Sequence, residues 1–162
     1  MSVFDELDPY ADDAEQRLVQ MEKRLQKLER YYVEVGAQNR ELSAAADRFR
    51  LDSGILTRYH EEGDLSGLPG SIWQVILANL REALTNVIRH AGATEVEIRL
   101  QALPGMIRLE VHDNGRGCEK PVEGMGLSGM RERAASLGGT LTAGPTATGG
   151  FRVTAHLPLG AP

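Results

Sequence analysis

The sequence predicts an α+β fold: helices on one face of a mixed sheet, preceded by a long N-terminal coiled-coil helix. Three observations point there. Apolar residues recur every seven positions over the first third of the chain. Two short runs, TEVEIRLQAL and MIRLEVHD, alternate apolar and polar residues on either side of Pro104-Gly105. Helical periodicity precedes and follows that pair of runs. The 162 residues are 41% hydrophobic and 25% charged, which suits one domain plus an appendage. We place the division at 53/54, with a helical parallel coiled-coil dimerisation segment at 1–53 and the globular domain at 54–162.

The heptads come first. Leu18, Leu25, Tyr32, Asn39 and Ala46 stand seven apart. Met21, Leu28, Val35, Leu42 and Phe49 follow each of them by three. Sustained a/d pairs of this kind predict a homodimer through residues 18–49. Arg17 and Arg24 fall at g, Glu22 and Glu29 at e, so each Arg meets the Glu five residues on in a parallel partner. Such exposed pairs contribute about 0.2–1 kcal/mol each, enough to choose register rather than to hold the dimer. Asn39 at an a position specifies two strands. The competing expectation is a helix packed on its own domain. Pro9 marks the region where the helix starts, and Gly54 stops it.

ILTRY (55–59) reads as a strand and HEEGDLSGLPG (60–70) as a loop. A helix from about Ile72 to Ala91 follows. In the hairpin Val96, Ile98 and Leu100 share one face, as do Ile107, Leu109 and Val111. A glycine-rich segment, a helix over 127–137 and strands near 139–144 and 150–158 complete the chain.

Composition restricts the function. A net charge of −5 argues against nucleic-acid binding but leaves a phosphorylated ligand open. The single Cys118 excludes an intrachain disulfide and a cysteine-rich zinc site. No run approaches the apolar length that spans a bilayer, and the acidic start is not a signal peptide. A reducing, cytoplasmic compartment is expected, with any membrane part outside this chain.

Two stretches carry chemistry. In NLREALTNVIRHAGA (79–93), Leu80, Ala83, Leu84, Val87, Ile88 and Ala91 form an apolar stripe. Glu82, Asn86 and His90 stack four apart on another face. A solvated face is the bland explanation. The second stretch, DNGRGCEKPVEGMGLSGMRERAASLGG (113–139), starts as a strand ends and leads into a helix. Its glycines let backbone approach a ligand, and free N–H groups at a helix start favour phosphate. Taken alone, such a loop is as often a plain turn.

In order and spacing these segments resemble the nucleotide-binding boxes of the GHKL superfamily. REALTNVIRHA is similar to the N box, DNGRG to the first glycine box, and GMGLSGMRERAASLGG to the second. The GLSGMRERA run is similar to the NarX/DesK type of sensor histidine kinase. The likeness covers roughly residues 50–160, and the short stretch from Cys118 to Glu123 suits the short nucleotide lid of that class.

The resemblance implies a Bergerat-type sandwich that binds ATP and Mg²⁺ and transfers a phosphoryl group. It makes Asn86 the Mg²⁺ ligand, with the ATP phosphates completing the shell; one carboxamide oxygen suits that hard cation. Glu82 would orient a Mg²⁺-bound water or polarise the attacking group. Arg89 and His90 would donate near the phosphates, although His90 at the end of its helix also suits a simple cap. Asp113 would accept a hydrogen bond from the adenine amino group and so reject guanine. Gly115 and Gly117 would pass close to the purine, and Gly124, Gly126, Leu127, Ser128 and Gly129 would wrap the phosphates. Arg131 and Arg133 are expected at the surface, and His112 and His156 in structural roles.

Two departures stand out. Phe151 occupies the place where many relatives of the superfamily carry a Thr near the adenine. The heptad helix holds no histidine to accept a phosphoryl group, and His60 falls in an expected loop. The acceptor would therefore lie elsewhere, and a cognate response regulator is the implied further partner. Two alternatives remain: a GHKL serine kinase of the anti-sigma type, and a non-catalytic dimer module that binds nucleotide as a switch. The RERA run favours the histidine kinase.

Overall fold

The computed structural model describes residues 11–118, 124 and 126–160. Helix α1 spans Ala11–Ser53 and ends where Gly54 takes φ +69°. Strand β1 (Leu56–Glu62) leads to helix α2 (Gly70–Asn86), whose end passes into a π-helical turn, Val87–Ala91. Strands β2 (Glu95–Leu103) and β3 (Met106–Asp113), helix α3 (Leu127–Ser136), and strands β4 (Thr140–Pro145) and β5 (Phe151–Pro158) follow. Pro9, the region preceding Ala11 and the lid residues 119–123 lie outside the described residues.

Among the described residues, five strands form one mixed sheet in the order β1-β2-β3-β5-β4. Only β1 and β2 run parallel; the other pairs are antiparallel. Alternation decides the faces as expected: Val96, Ile98, Leu100, Ile107, Leu109 and Val111 are all buried. They meet Ile72, Ile76, Leu80 and Ala83 of α2 and Leu127, Met130 and Ala134 of α3 in a single core. The opposite face carries ion pairs, among them Arg99 with Glu97 at 2.8 Å and Arg152 with Glu110 at 3.5 Å. The helices thus stand on one face, and the fold is the expected α+β sandwich.

Three expectations need correction. His60 lies inside β1 rather than in a loop, with its Nε2 3.8 Å from Glu97 Oε1. As an edge strand, β1 tolerates the polar run HEE that reads as loop in sequence. Ile88, assigned to the apolar stripe, is 60% exposed. The π turn adds a residue to the helical repeat and swings Ile88 outward, while Ala91 returns to the core.

The third correction concerns the heptads. Leu42, Ala46 and Phe49 are buried in the core of their own chain. Burial within one chain pays no association entropy, so this surface is taken before a second molecule arrives. Leu18, Met21, Leu25 and Leu28 remain exposed. The side chains of Tyr32, Val35 and Asn39 lie outside the described part. The end of α1, from Gln38 onward, packs with the globular part as one compact unit. No described helix is long and apolar enough to cross a membrane.

Candidate nucleotide site

The ends of α2, β3 and β5 converge on one recess. Its floor is apolar: Ala83, Val87, Val111, Phe151 and Val153 line it, with Cys118 at one side. Three polar side chains enter this lining, from Asn86, His90 and Asp113. A flat apolar slot with few polar groups suits a purine ring.

Asp113 is the last residue of β3 and only 4% exposed. Gly115 N–H donates to its Oδ1 at 2.8 Å, and the Phe151 N–H also reaches the carboxylate. Desolvation nevertheless dominates and raises its pKa, against the lowering effects of those two N–H groups and of His112. The strand register explains how Phe151 arrives there, because Phe151 pairs directly with Asp113. Thr154 points to the opposite face of β5, beside Glu110, and does not replace the missing Thr.

The loop after Asp113 is fastened by side chains that sequence reading passed over. Asn114 Oδ1 accepts from the N–H groups of Thr94 and Glu95, each at 2.9 Å. Arg116 Nε donates to the His90 carbonyl at 3.1 Å, and its N–H to the Ala91 carbonyl at 3.0 Å. A cation at that helix end satisfies carbonyls the π turn leaves open. The cap is therefore Arg116, while His90 faces the recess. The Asx pattern of DNG offered a signal for Asn114; nothing local marks Arg116.

The remaining expected residues fall around this recess. Asn86 is buried, one helical turn from Glu82. Glu82 lies outside the recess lining, against Gly126: a Cβ on Gly126 would fall 2.0 Å from Glu82 Oε1. Gly126, with φ +70°, starts α3. Leu127 is wholly buried, whereas Ser128 is exposed and Gly129 partly so. Gly117 lines the recess and Gly115 holds Asp113; Gly124 and Arg89 are exposed and do not line it. Arg133, expected at the surface, instead donates from Nε to the buried Asn79 at 3.0 Å. His112 meets Thr146 at 3.3 Å, a structural contact.

Residues 76–161 match the family of histidine kinase-, DNA gyrase B- and HSP90-like ATPases. The chain belongs to that family. Among relatives of this ATPase domain, the sensor histidine kinase LnrJ of Bacillus subtilis is 32% identical over 118 residues, 73% of this chain and 30% of LnrJ. The nitrate/nitrite sensor protein NarQ of Escherichia coli is 40% identical over 83 residues, 49% of this chain and 15% of NarQ. The chain thus spans less than a third of either relative. The ATPase domain also shares its fold with solved histidine kinases. The blue-light activated kinase of Erythrobacter litoralis EL346 superposes with a TM-score of 0.60 at 24% identity, covering 73% of this chain and 40% of that one. The ATP binding domain of PrrB from Mycobacterium tuberculosis gives 0.52 at 22%, covering 74% and 95%.

Proposed function

We propose that this chain is the ATP-binding catalytic part of a sensor histidine kinase, dimerised through α1, that hands the γ-phosphoryl of ATP to a histidine outside the described helices. The buried carboxylate of Asp113, at the end of an apolar slot that also admits Asn86, supports this reading most strongly. A carboxylate there accepts from the adenine amino group, and the slot excludes water from the ring. The domain division at 53/54 belongs to the same reading, with residues 1–53 transmitting a signal to 54–162.

Each side chain then has a task. Asp113 reads the base. His90 donates beside the phosphates, and Arg89, exposed one residue earlier, does so only by swinging inward. The N–H groups at the start of α3, over Gly126–Gly129, receive the phosphate charge. Glu82, against Gly126, would orient a Mg²⁺-bound water or polarise the attacking group. The buried carboxamide of Asn86 offers one hard oxygen donor that fits Mg²⁺ alongside the ATP phosphates, whose charge the ion would neutralise when bound.

Calorimetric titration with ATP, with and without Mg²⁺, tests this. Mg²⁺ strengthens binding to the wild type; in Asn86→Ala that gain disappears, a loss of about tenfold or more for one hard-oxygen contact. Wild-type protein that binds no ATP refutes the reading. Transfer to a partner is told from a serine kinase by acid, since phosphohistidine is acid-labile.

The exposed Leu18, Met21, Leu25 and Leu28 of α1, with Arg17 and Arg24 set against Glu22 and Glu29, suit a second copy of this helix. Because Leu42, Ala46 and Phe49 are committed to their own core, the seam ends before Leu42. Leu25→Glu is expected to leave a folded monomer by sedimentation equilibrium, and an unchanged dimer would refute this seam.

A further inference from the structure

Helices α2 and α3 meet at two polar points, and only the first lies within the nucleotide boxes on both helices. At the first, Glu82 lies against Gly126. At the second, Arg133 Nε donates to Asn79 Oδ1 at 3.0 Å. Asn79 precedes Glu82 on α2, whereas Arg133 follows Gly126 on α3. The two helices therefore run in opposite senses along this seam, with one polar contact at each end.

Asn79 is an odd residue for its place. It is 1% exposed, between Ile76, Leu80 and Ala83 on the core side of α2. Its Nδ2 is buried and has no hydrogen-bond partner among the described residues. A leucine of similar size would leave no such group unsatisfied. Its one evident use is the oxygen that receives Arg133. The Arg133 side chain in turn folds back along α3: its Nη1 lies 3.4 Å from where a Cβ on Gly129 would stand. The guanidinium thus spans from the phosphate-facing first turn of α3 to the interior of α2.

On the reading of this recess as an ATP pocket, we propose that Arg133 and Asn79 are positioning residues that fix α3 along α2, and with it the phosphate-binding N–H groups relative to Glu82 and Asn86. Leu127, Met130 and Ala134 hold α3 down on the core. Apolar contacts are non-directional, however, and tolerate sliding. A hydrogen bond to a fixed carboxamide does not, because it weakens steeply away from its geometry. The adenine side is lined from β3, β5 and the end of α2, with no residue of α3, and so does not depend on where α3 lies. The contact accordingly governs the phosphate half of the site and leaves the base half alone.

Titration of the full chain with Mg-ATP and with adenosine, followed by NMR, separates these halves. Arg133→Met and Asn79→Leu are each expected to weaken Mg-ATP about tenfold, the scale of one charge-assisted hydrogen bond, while adenosine binding changes less than twofold. Asn79→Asp keeps an acceptor for Arg133 and should retain Mg-ATP binding. Loss of both ligands in proportion, or of neither, in variants that melt cooperatively overturns the positioning role. Wild-type protein that binds neither ligand overturns the ATP reading itself, and this proposal with it.

Discussion

Asp113→Asn will lower ATP affinity about 100-fold, roughly 2–3 kcal/mol for a buried group left facing the wrong partner, with little change in the stability of the unliganded chain. The carboxylate Oδ1 is engaged by Gly115 N–H at 2.8 Å. An asparagine oxygen keeps that bond and thereby turns its NH₂ toward the adenine amino group, donor against donor. Guanine presents an oxygen at that position, so the variant should also discriminate less between ATP and GTP. Stability hardly changes because burial raises the Asp113 pKa, the folded chain holding this proton more tightly than the unfolded one. Stability from the group therefore falls as pH rises through the window between the ordinary carboxylate value and the raised one. At neutral pH the ionised group is a cost to folding, and Asn removes it, offsetting the lost contact with Phe151 N–H. In the wild type, ATP binding should weaken on acidification sooner than an ordinary carboxylate would cause. Calorimetry with ATP and GTP at several pH values, beside thermal melts, checks each part. An Asp113→Asn protein within threefold of wild-type affinity would remove Asp113 from base recognition.

The legible parts of this fold are those where one period dominates. Val96, Ile98 and Leu100 alternate without interruption, so β2 is readable in sequence; β1 is readable only over ILTRY, because an edge strand needs no apolar alternation over His60–Glu62. Asp113 and Asn86 stand out in sequence only through the motifs DNGRG and REALTNVIRHA, and the structure brings both to the lining of one recess. The π turn left no trace in VIRHA, since it depends on carbonyl partners supplied by Arg116 from a later loop. Heptads and domain packing share nearly the same spacing, so the sequence of α1 could not say that Leu42, Ala46 and Phe49 face their own core while Leu18 to Leu28 do not. The Arg133–Asn79 bond spans α3 and α2, and only their packing brings the two residues together.

The second large effect falls at a glycine that reads in sequence as turn filler. Gly149 and Gly150 both hold positive φ, +89° and +91°, in the connection between β4 and β5. They differ in what surrounds them. A Cβ on Gly149 meets nothing within 4 Å, whereas one on Gly150 would fall 1.8 Å from the Asp113 carbonyl oxygen. Gly149→Ala should therefore show backbone strain alone, about 1–2 kcal/mol. Gly150→Ala adds a clash with main chain that no rotamer relieves, for a total of about 3–6 kcal/mol, a fall in Tm of some 10 °C or more for a domain of this size. The clash also bears on function. Gly150 precedes Phe151, which pairs with Asp113 and directs its N–H at the carboxylate. Relief of the overlap requires β5 to part from β3 at Asp113, the proposed base-reading residue. Any Gly150→Ala protein that still folds should bind ATP more weakly than Gly149→Ala, beyond its loss of stability. Equal melting temperatures and equal ATP affinities for the two variants would show that the connection relaxes freely and that the close approach to Asp113 is dispensable.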